Sequence, residues 1–454
     1  MQHRAFSATI PTSPQRRLGG PAAPLSEELV VPNVVAMILA GGRVDELSVL
    51  TLHRPKSAVP FGGMYRVIDF PLSNLMHSAI EQVGILSQYR SYSLIHHIGV
   101  GASWDLIGRN RGATILPPQK GVSDTDWYRG TADAVYQNLE FLDQHDPDLV
   151  LVLSGDHIYR MDYQPMIELH LREKADATIG FVPVAREQAG RFGLGKIDGE
   201  GEEGGRLLDY VEKPEKPEYT WASMTVYLFR SELLIRVVSE NARKGTSWEF
   251  GRDIIPELIR SSRVFAYRHH GYWGYTRTVD EYWRCNMDLL GENPAIPIEE
   301  WDVRTNLDNA GLRDRGPAHF HEGSTVTDSR ISSGCRISGT VSHSILFPGC
   351  CVAKGAVVRD SILFSGVQVE KGAVLDRVVC DERARIERGA HVGCGDDLTP
   401  NRAQPDLLRS GINLVGKKAV VPAGLRIERN CIVGPNTARH HFSADRIRSG
   451  DLVS

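Results

Sequence analysis

The sequence predicts an α/β domain, built on a parallel sheet covered by helices, followed by a parallel β-helix. Two observations carry this: short apolar runs alternate with helical stretches over the first two thirds, and apolar residues recur every six positions in the last third. The first runs are VVAMIL (34–39), VGIL (83–86), LVLVLS (149–154) and ATIGFV (177–182). Strands apolar on both faces must be buried on both faces, which a parallel sheet between helices provides. Between two of them, Val135, Leu139 and Leu142 stand at i, i+4 and i+7, predicting a helix over 131–145 with Thr131 as its N-cap. Alternation of this kind over residues 32–290 reads as one large domain.

In the tail, Ile345, Cys351, Val357, Leu363, Val369 and Leu375 recur at steps of six. Ile331 and Ile337 precede them; Cys380, Ile386 and Val392 follow. A six-residue apolar period with interspersed glycine fits a parallel β-helix, in which each flat side of a coil turns one side chain inward. An antiparallel sandwich would alternate with period two. The predicted β-helix domain spans 319–454, after a linker over 291–318, and the stretch 395–416 interrupts the period as an exposed loop. Residues 1–31, with Arg4, Arg16 and Arg17 and no acid before Glu27, read as a flexible extension.

Length and composition bound the function. At roughly 150 residues per domain, two or three domains with real cores fit a chain of 454 residues. Its 52 Lys plus Arg against 56 Asp plus Glu leave a formal charge of −4, without the basic excess that tracking nucleic acid needs. No run approaches the ~18 apolar residues that span a membrane. Seven cysteines without a CxxC pair predict buried free thiols in a reducing cytoplasm, not a disulfide framework or a zinc site.

Three clusters carry chemistry. Gly41 and Gly42 follow the first strand directly, letting backbone N–H groups approach a phosphate that Lys56, one loop later, can neutralise. Asp156 follows LVLVLSG, at the carboxyl end of a parallel strand, where α/β sheets bind ligands; it is a hard ligand suited to Mg²⁺ bridging phosphates. Glu212 and Lys213 suit a sugar phosphate, the carboxylate accepting from hydroxyls and the ammonium meeting the phosphate. Taken singly, Gly41–Gly42 also fits a plain turn, Asp156 a cap, and Glu212–Lys213 a solvated pair.

Read in order, LAGG, RPKSAVPFGG, YRVIDFPLSN, WYRGTADAV, SGDHIY, FGLGKID, VEKP, ASMTVYLF and the closing hexapeptide repeats resemble the ADP-glucose pyrophosphorylase (glucose-1-phosphate adenylyltransferase) family over about 34–438. The resemblance implies a Rossmann-like nucleotidyltransferase domain joined to a left-handed parallel β-helix. It also implies ATP and glucose 1-phosphate as substrates for glycogen biosynthesis, Mg²⁺ as cofactor, and a homo- or hetero-tetramer under a sugar-phosphate or phosphate effector. Carried over singly, Tyr128, Gly193, Glu212, Lys213 and Ser223 hold glucose 1-phosphate. Gly41, Gly42, Gln88 and Gly130 line the ATP site, Asp156 holds the metal, and Lys56 and Arg43 join Asp156 in catalysis. His53, Arg54 and Arg66 lie where an anionic effector docks.

Two departures from the family predict a charge deficit. Where the family's turn reads G-x-G-T-R-L, this chain has Glu46 in place of the arginine. Where it reads W-R-D-V-G-T, this chain has Trp273-Gly274-Tyr275-Thr276-Arg277-Thr278, so Tyr275 replaces a metal-binding aspartate. A reversed charge beside departing phosphates costs roughly 3 kcal/mol per unit pair at ~5 Å and an effective dielectric of 20. Unless Arg43, Arg54 or Lys56 compensates, turnover is expected to be depressed and to rise on Glu46→Arg with Tyr275→Asp. The alternative is a catalytically impaired regulatory or sugar-nucleotide-binding subunit.

Overall fold

A computed structural model describes residues 32–42, 44–118, 127–199, 201–308 and 313–454; the predicted extension over 1–31 and Arg43 lie outside them. The apolar runs become the centre of a nine-stranded sheet. From edge to edge its order is Gly112–Leu116, Gln82–Leu86, Val34–Leu39, Leu149–Ser154, Trp221–Arg230, Ala177–Pro183, Val264–Arg268, Gly204–Glu212, Gly193–Ile197. The first four are mutually parallel. Trp221–Arg230 runs antiparallel to both neighbours, so the sheet is mixed where an all-parallel one was expected.

The topology positions the site. Val34–Leu39 sits between Gln82–Leu86 and Leu149–Ser154, with Leu39 level with Leu86 on one side and Ser154 on the other. The chain therefore leaves three adjacent strands at one height, opening a crevice outside their carboxyl ends.

The helix expected over 131–145 is two helices, Thr131–Tyr136 and Leu139–His145, broken at Asn138. Asn138 donates to the Ala134 carbonyl and to the Tyr128 hydroxyl, both at 2.8–2.9 Å, trading helix continuity for a contact at the site. Gly130, not Thr131, is the N-cap; the Thr131 hydroxyl accepts from the Phe250 N–H at 3.2 Å.

From His319 onward the chain coils through three sheets of short parallel strands, six on one face and seven on each of the others, forming the left-handed hexapeptide helix. Successive coils pair Leu346 with Leu363 and Leu363 with Cys380, a repeat of 17 residues, one short of three sixes. The six-residue register therefore slips once per coil. Leu363, Val369 and Leu375 point inward as expected, but the preceding coil buries Leu346, Val352 and Val358 where Ile345, Cys351 and Val357 were read. Ile345 instead joins Ile362, Val379, Leu414 and Ile432 in an outward apolar row that packs on Leu47, Val49, Leu50 and Phe61 of the first domain. The insertion is not wholly exposed: Leu408 and Ile412 are buried in that same interface, and the strand Asn413–Val415 resumes the coil against Val378–Cys380. Residues Asn33–Ser454 consequently form one compact unit. All seven cysteines are free thiols, six of them buried.

Candidate active site

The crevice is a cavity of about 560 Å³. Its roof starts at Gly41, where a β-carbon would lie 2.5 Å from the Gln88 nitrogen and 2.7 Å from the Ser87 α-carbon, so only glycine lets the two strand ends close up. The Gln88 side-chain oxygen accepts from the Tyr128 N–H at 2.8 Å, tying the second strand's exit to the segment bearing Gly130.

Asp156 lies at the exit of Leu149–Ser154. Its Oδ2 accepts from the Lys56 ammonium at 2.8 Å, although 100 residues separate the two, and its Oδ1 accepts from the Ser154 hydroxyl and lies 3.2 Å from His157 Nε2. Burial by itself raises the Asp156 pKa; the Lys56 and His157 charges and the donated hydrogen bonds override it and hold the carboxyl well below the usual range. Burial pushes His157 down to about 4 despite Asp156 beside it, so the imidazole is neutral at pH 7, with Nδ1 3.1 Å from the Met224 carbonyl.

At the opposite wall, Glu212 accepts from the Tyr210 hydroxyl at 2.9 Å and lies 3.5 Å from the Lys213 ammonium. Lys213 has a left-handed backbone (φ +46°), fixed by its N–H donating to the Phe192 carbonyl at 3.0 Å, which turns the side chain out of the strand register. Gly193 faces this pair; a β-carbon there would meet the Tyr210 hydroxyl and Glu212 Oε2. Ser223 lies beside a bulge in Trp221–Arg230, where Thr225 is also left-handed (φ +54°). The Tyr128 hydroxyl donates to the Leu116 carbonyl at 2.9 Å.

The structure thus brings Gly41, Gly42, Gln88, Tyr128, Gly130, Asp156, Gly193, Glu212, Lys213 and Ser223 onto one cavity, with Lys56 buried behind Asp156. Arg43 falls outside the described residues. Sequence reasoning missed Arg129, Arg191 and Arg277, which line the same cavity.

The charge deficit expected at Glu46 is met by a residue the sequence reading had not considered. Arg277 Nε donates to Glu46 Oε1 at 2.7 Å and Nη1 to the Tyr275 hydroxyl at 3.3 Å. Although burial raises the Glu46 pKa, the hydrogen bond and charge of Arg277 lower it overall, so the carboxylate is ionised and paired. Of the compensating cations considered, Lys56 is committed to Asp156, and Arg54 is buried in a bidentate pair with Asp381 at 2.8 and 3.2 Å. That pairing also leaves Arg54 unable to receive an anion. The signal available in the sequence was that both departing motifs change charge together: one exchanges an arginine for Glu46, while the other loses an aspartate at Tyr275 and moves its arginine from position 274 to Arg277.

The residues fit a magnesium ion held chiefly by substrate phosphates. Asp156 is ionised at neutral pH and each of its oxygens retains accepting capacity, while Tyr275 contributes no carboxylate. Among the described residues no cluster of three His, Cys, Asp or Glu forms a self-sufficient metal cage.

Residues 35–292 match the nucleotidyl transferase family model, and residues 317–415 match the GlmU-like C-terminal hexapeptide model. The chain is 45% identical to the glucose-1-phosphate adenylyltransferase of Thermotoga neapolitana over 426 residues, covering 93% of this chain and 98% of the relative. It is 45% identical over 427 residues to that of Thermomicrobium roseum, with the same coverage, and 44% identical over 327 residues to that of Geobacillus stearothermophilus, covering 72% and 83%. With the glycine turn at the strand exit, the Lys56–Asp156 pair and the hexapeptide coil all in place, the chain belongs to the glucose-1-phosphate adenylyltransferase family.

Proposed function

We propose that this chain joins ATP and α-D-glucose 1-phosphate to give ADP-glucose and pyrophosphate. The observation that carries the reading is the convergence, on one cavity, of a glycine turn at a strand exit, the Lys56-braced Asp156, and the Glu212–Lys213 wall. Glu212 accepts from sugar hydroxyls and Lys213 meets the sugar phosphate, presenting one phosphate oxygen to the α-phosphorus of ATP. That oxygen forms the new P–O bond, the bond between the α-phosphorus and the bridging oxygen breaks, and its electron pair leaves on pyrophosphate. The protein's work is in-line positioning and neutralisation of the spread negative charge, with no covalent intermediate required. Gly41 and Gly42 let main-chain N–H groups approach the nucleotide phosphates, and Lys56, buried behind Asp156, offsets that carboxylate's charge. Asp156 would hold a magnesium ion, which would supply positive charge to offset that of the phosphates.

Around this activity, the chain works in the cytoplasm as a tetramer, supplies ADP-glucose for glycogen-type synthesis, and answers to a phosphorylated effector. The buried free thiols support that setting.

Incubating the purified chain with ATP, glucose 1-phosphate and Mg²⁺ and identifying the sugar nucleotide by mass spectrometry tests the reading. ADP-glucose is the expected product. A different nucleotide base or sugar phosphate accepted in preference would overturn the substrate assignment, and binding of both substrates without product would point to a regulatory subunit.

A further inference from the structure

Among the described residues, three arginines line the cavity, each with partners of its own. Arg129 grips Asp133 through Nε and Nη2, at 3.2 and 2.6 Å, and lies 4.4 Å over the Trp248 ring. Arg191 pairs with Glu281 at 2.5 Å. Arg277 joins two residues of the cavity wall: Glu46 takes its Nε and Tyr275 its Nη1, and Nη2 remains as a donor.

The backbone on both sides of Arg277 is fastened. The Thr276 hydroxyl donates to the Asp156 carbonyl at 3.1 Å, and Thr278 forms a capping box with Glu281 at the start of helix Val279–Met287. Glu46 is fixed as well, because it is the second residue of the segment Asp45–Thr51, whose Leu47, Val49 and Leu50 pack against the β-helix. That segment follows Gly41, Gly42 and Val44 on the cavity wall. The guanidinium therefore stands beside the glycine turn, with Nε and Nη1 held and Nη2 left to donate.

We propose that Arg277 is a catalytic residue that receives the β- and γ-phosphates of the nucleotide as pyrophosphate departs, and that Glu46 is the positioning residue that aims it. This rests on the adenylyl-transfer reading above. As the α–β bridge breaks, the electron pair stays on the pyrophosphate, so negative charge grows where a guanidinium's planar donors match phosphate oxygens. A donor held rigidly before the reaction needs no reorganisation when that charge appears. An arginine aimed by a carboxylate from the opposite loop thus takes the place of an arginine carried on the glycine turn itself.

The test is steady-state kinetics in both directions, using ATP with glucose 1-phosphate and ADP-glucose with pyrophosphate. Arg277→Ala is expected to lower kcat by about a hundredfold and to raise the KM for pyrophosphate, leaving the KM for glucose 1-phosphate within about twofold. Arg277→Lys should recover part of kcat. Glu46→Gln should raise the KM for pyrophosphate by a smaller factor, and the exchange Glu46→Arg with Arg277→Glu should be more active than either single exchange. Calorimetric glucose 1-phosphate binding by Arg277→Ala at wild-type affinity would show the cavity intact. If that variant binds the sugar normally and keeps wild-type kcat and pyrophosphate KM, the inference fails while the transferase reading stands. If the wild type forms no ADP-glucose, the underlying reading fails and the inference with it.

Discussion

The Arg54 guanidinium and the Asp381 carboxylate, 327 positions apart in the chain, meet as a buried bidentate pair that joins the catalytic domain to the β-helix. Glu382 lies 3.6 Å from the same guanidinium and 2.6 Å from the Lys417 ammonium, so two carboxylates from one turn of the coil hold two cations. Around this polar knot lies the apolar contact between Leu47, Val49, Leu50 and Phe61 on one side and the outward row from Ile345 to Ile432 on the other.

Because both charges are out of water, breaking the pair from one side should cost far more than removing it. Asp381→Ala leaves the Arg54 guanidinium buried with the Leu50 carbonyl and the more distant Glu382 carboxylate, and is expected to lower stability by about 3–5 kcal/mol. Replacing both partners, Arg54→Met with Asp381→Leu, should cost much less. Thermal melts followed by circular dichroism check this; equal losses from the single and the double replacement would contradict it.

Lys213 is expected to act on one substrate only. Lys213→Ala should raise the KM for glucose 1-phosphate by about ten- to a hundredfold, the equivalent of ~1.4–2.8 kcal/mol, with a small change in the KM for ATP. Initial-rate measurements varying each substrate separately decide the matter, and equal effects on both would remove Lys213 from the sugar wall.

The structure reverses an expectation drawn from the sequence. Restoring an arginine at position 46 would set two guanidiniums against each other, because Arg277 already stands there. Glu46→Arg, alone or with Tyr275→Asp, is therefore expected to lower pyrophosphate release by about tenfold or more. A gain on either change would mean that the Glu46–Arg277 pair has no part in the site.

The pH dependence of stability should report buried histidines. Burial, aided by Arg230, pushes His170 down to about 4, and burial does the same to His157. In the unfolded chain such groups titrate near 6.5. Below that pH the unfolded state takes up protons that the folded state refuses, so the contribution is fully present above 6.5 and is lost as the pH falls toward 4. The melting temperature should drop across that window. His170→Gln, which keeps a polar group within reach of the Thr178 hydroxyl now 2.9 Å away, should flatten the slope. An unchanged slope would assign the acid sensitivity elsewhere.

What the sequence made legible follows from the physics each residue class obeys. Strands buried on both faces announced the sheet centre, and Asp156 at the exit of one of them was findable because parallel strands end at ligand sites. The hexapeptide period was visible, but its slip from Ile345 to Leu346 was not, since a coil one residue short buries either of two adjacent apolar residues. The break at Asn138 was hidden because Val135, Leu139 and Leu142 keep a helical spacing across it. Arg277 escaped notice for a different reason. An arginine lost in one motif and an arginine moved in another become a single event only when folding brings Glu46 and Arg277 to 2.7 Å, with 231 positions between them.

The most direct measurement is the initial rate of pyrophosphate release by the isolated 454-residue chain at saturating ATP, glucose 1-phosphate and Mg²⁺. With Glu46 neutralised by Arg277, the account predicts turnover within the ordinary enzymatic range of roughly 1–10³ s⁻¹ that needs both substrates. No release from the folded chain, or release from ATP that ignores glucose 1-phosphate, would contradict it.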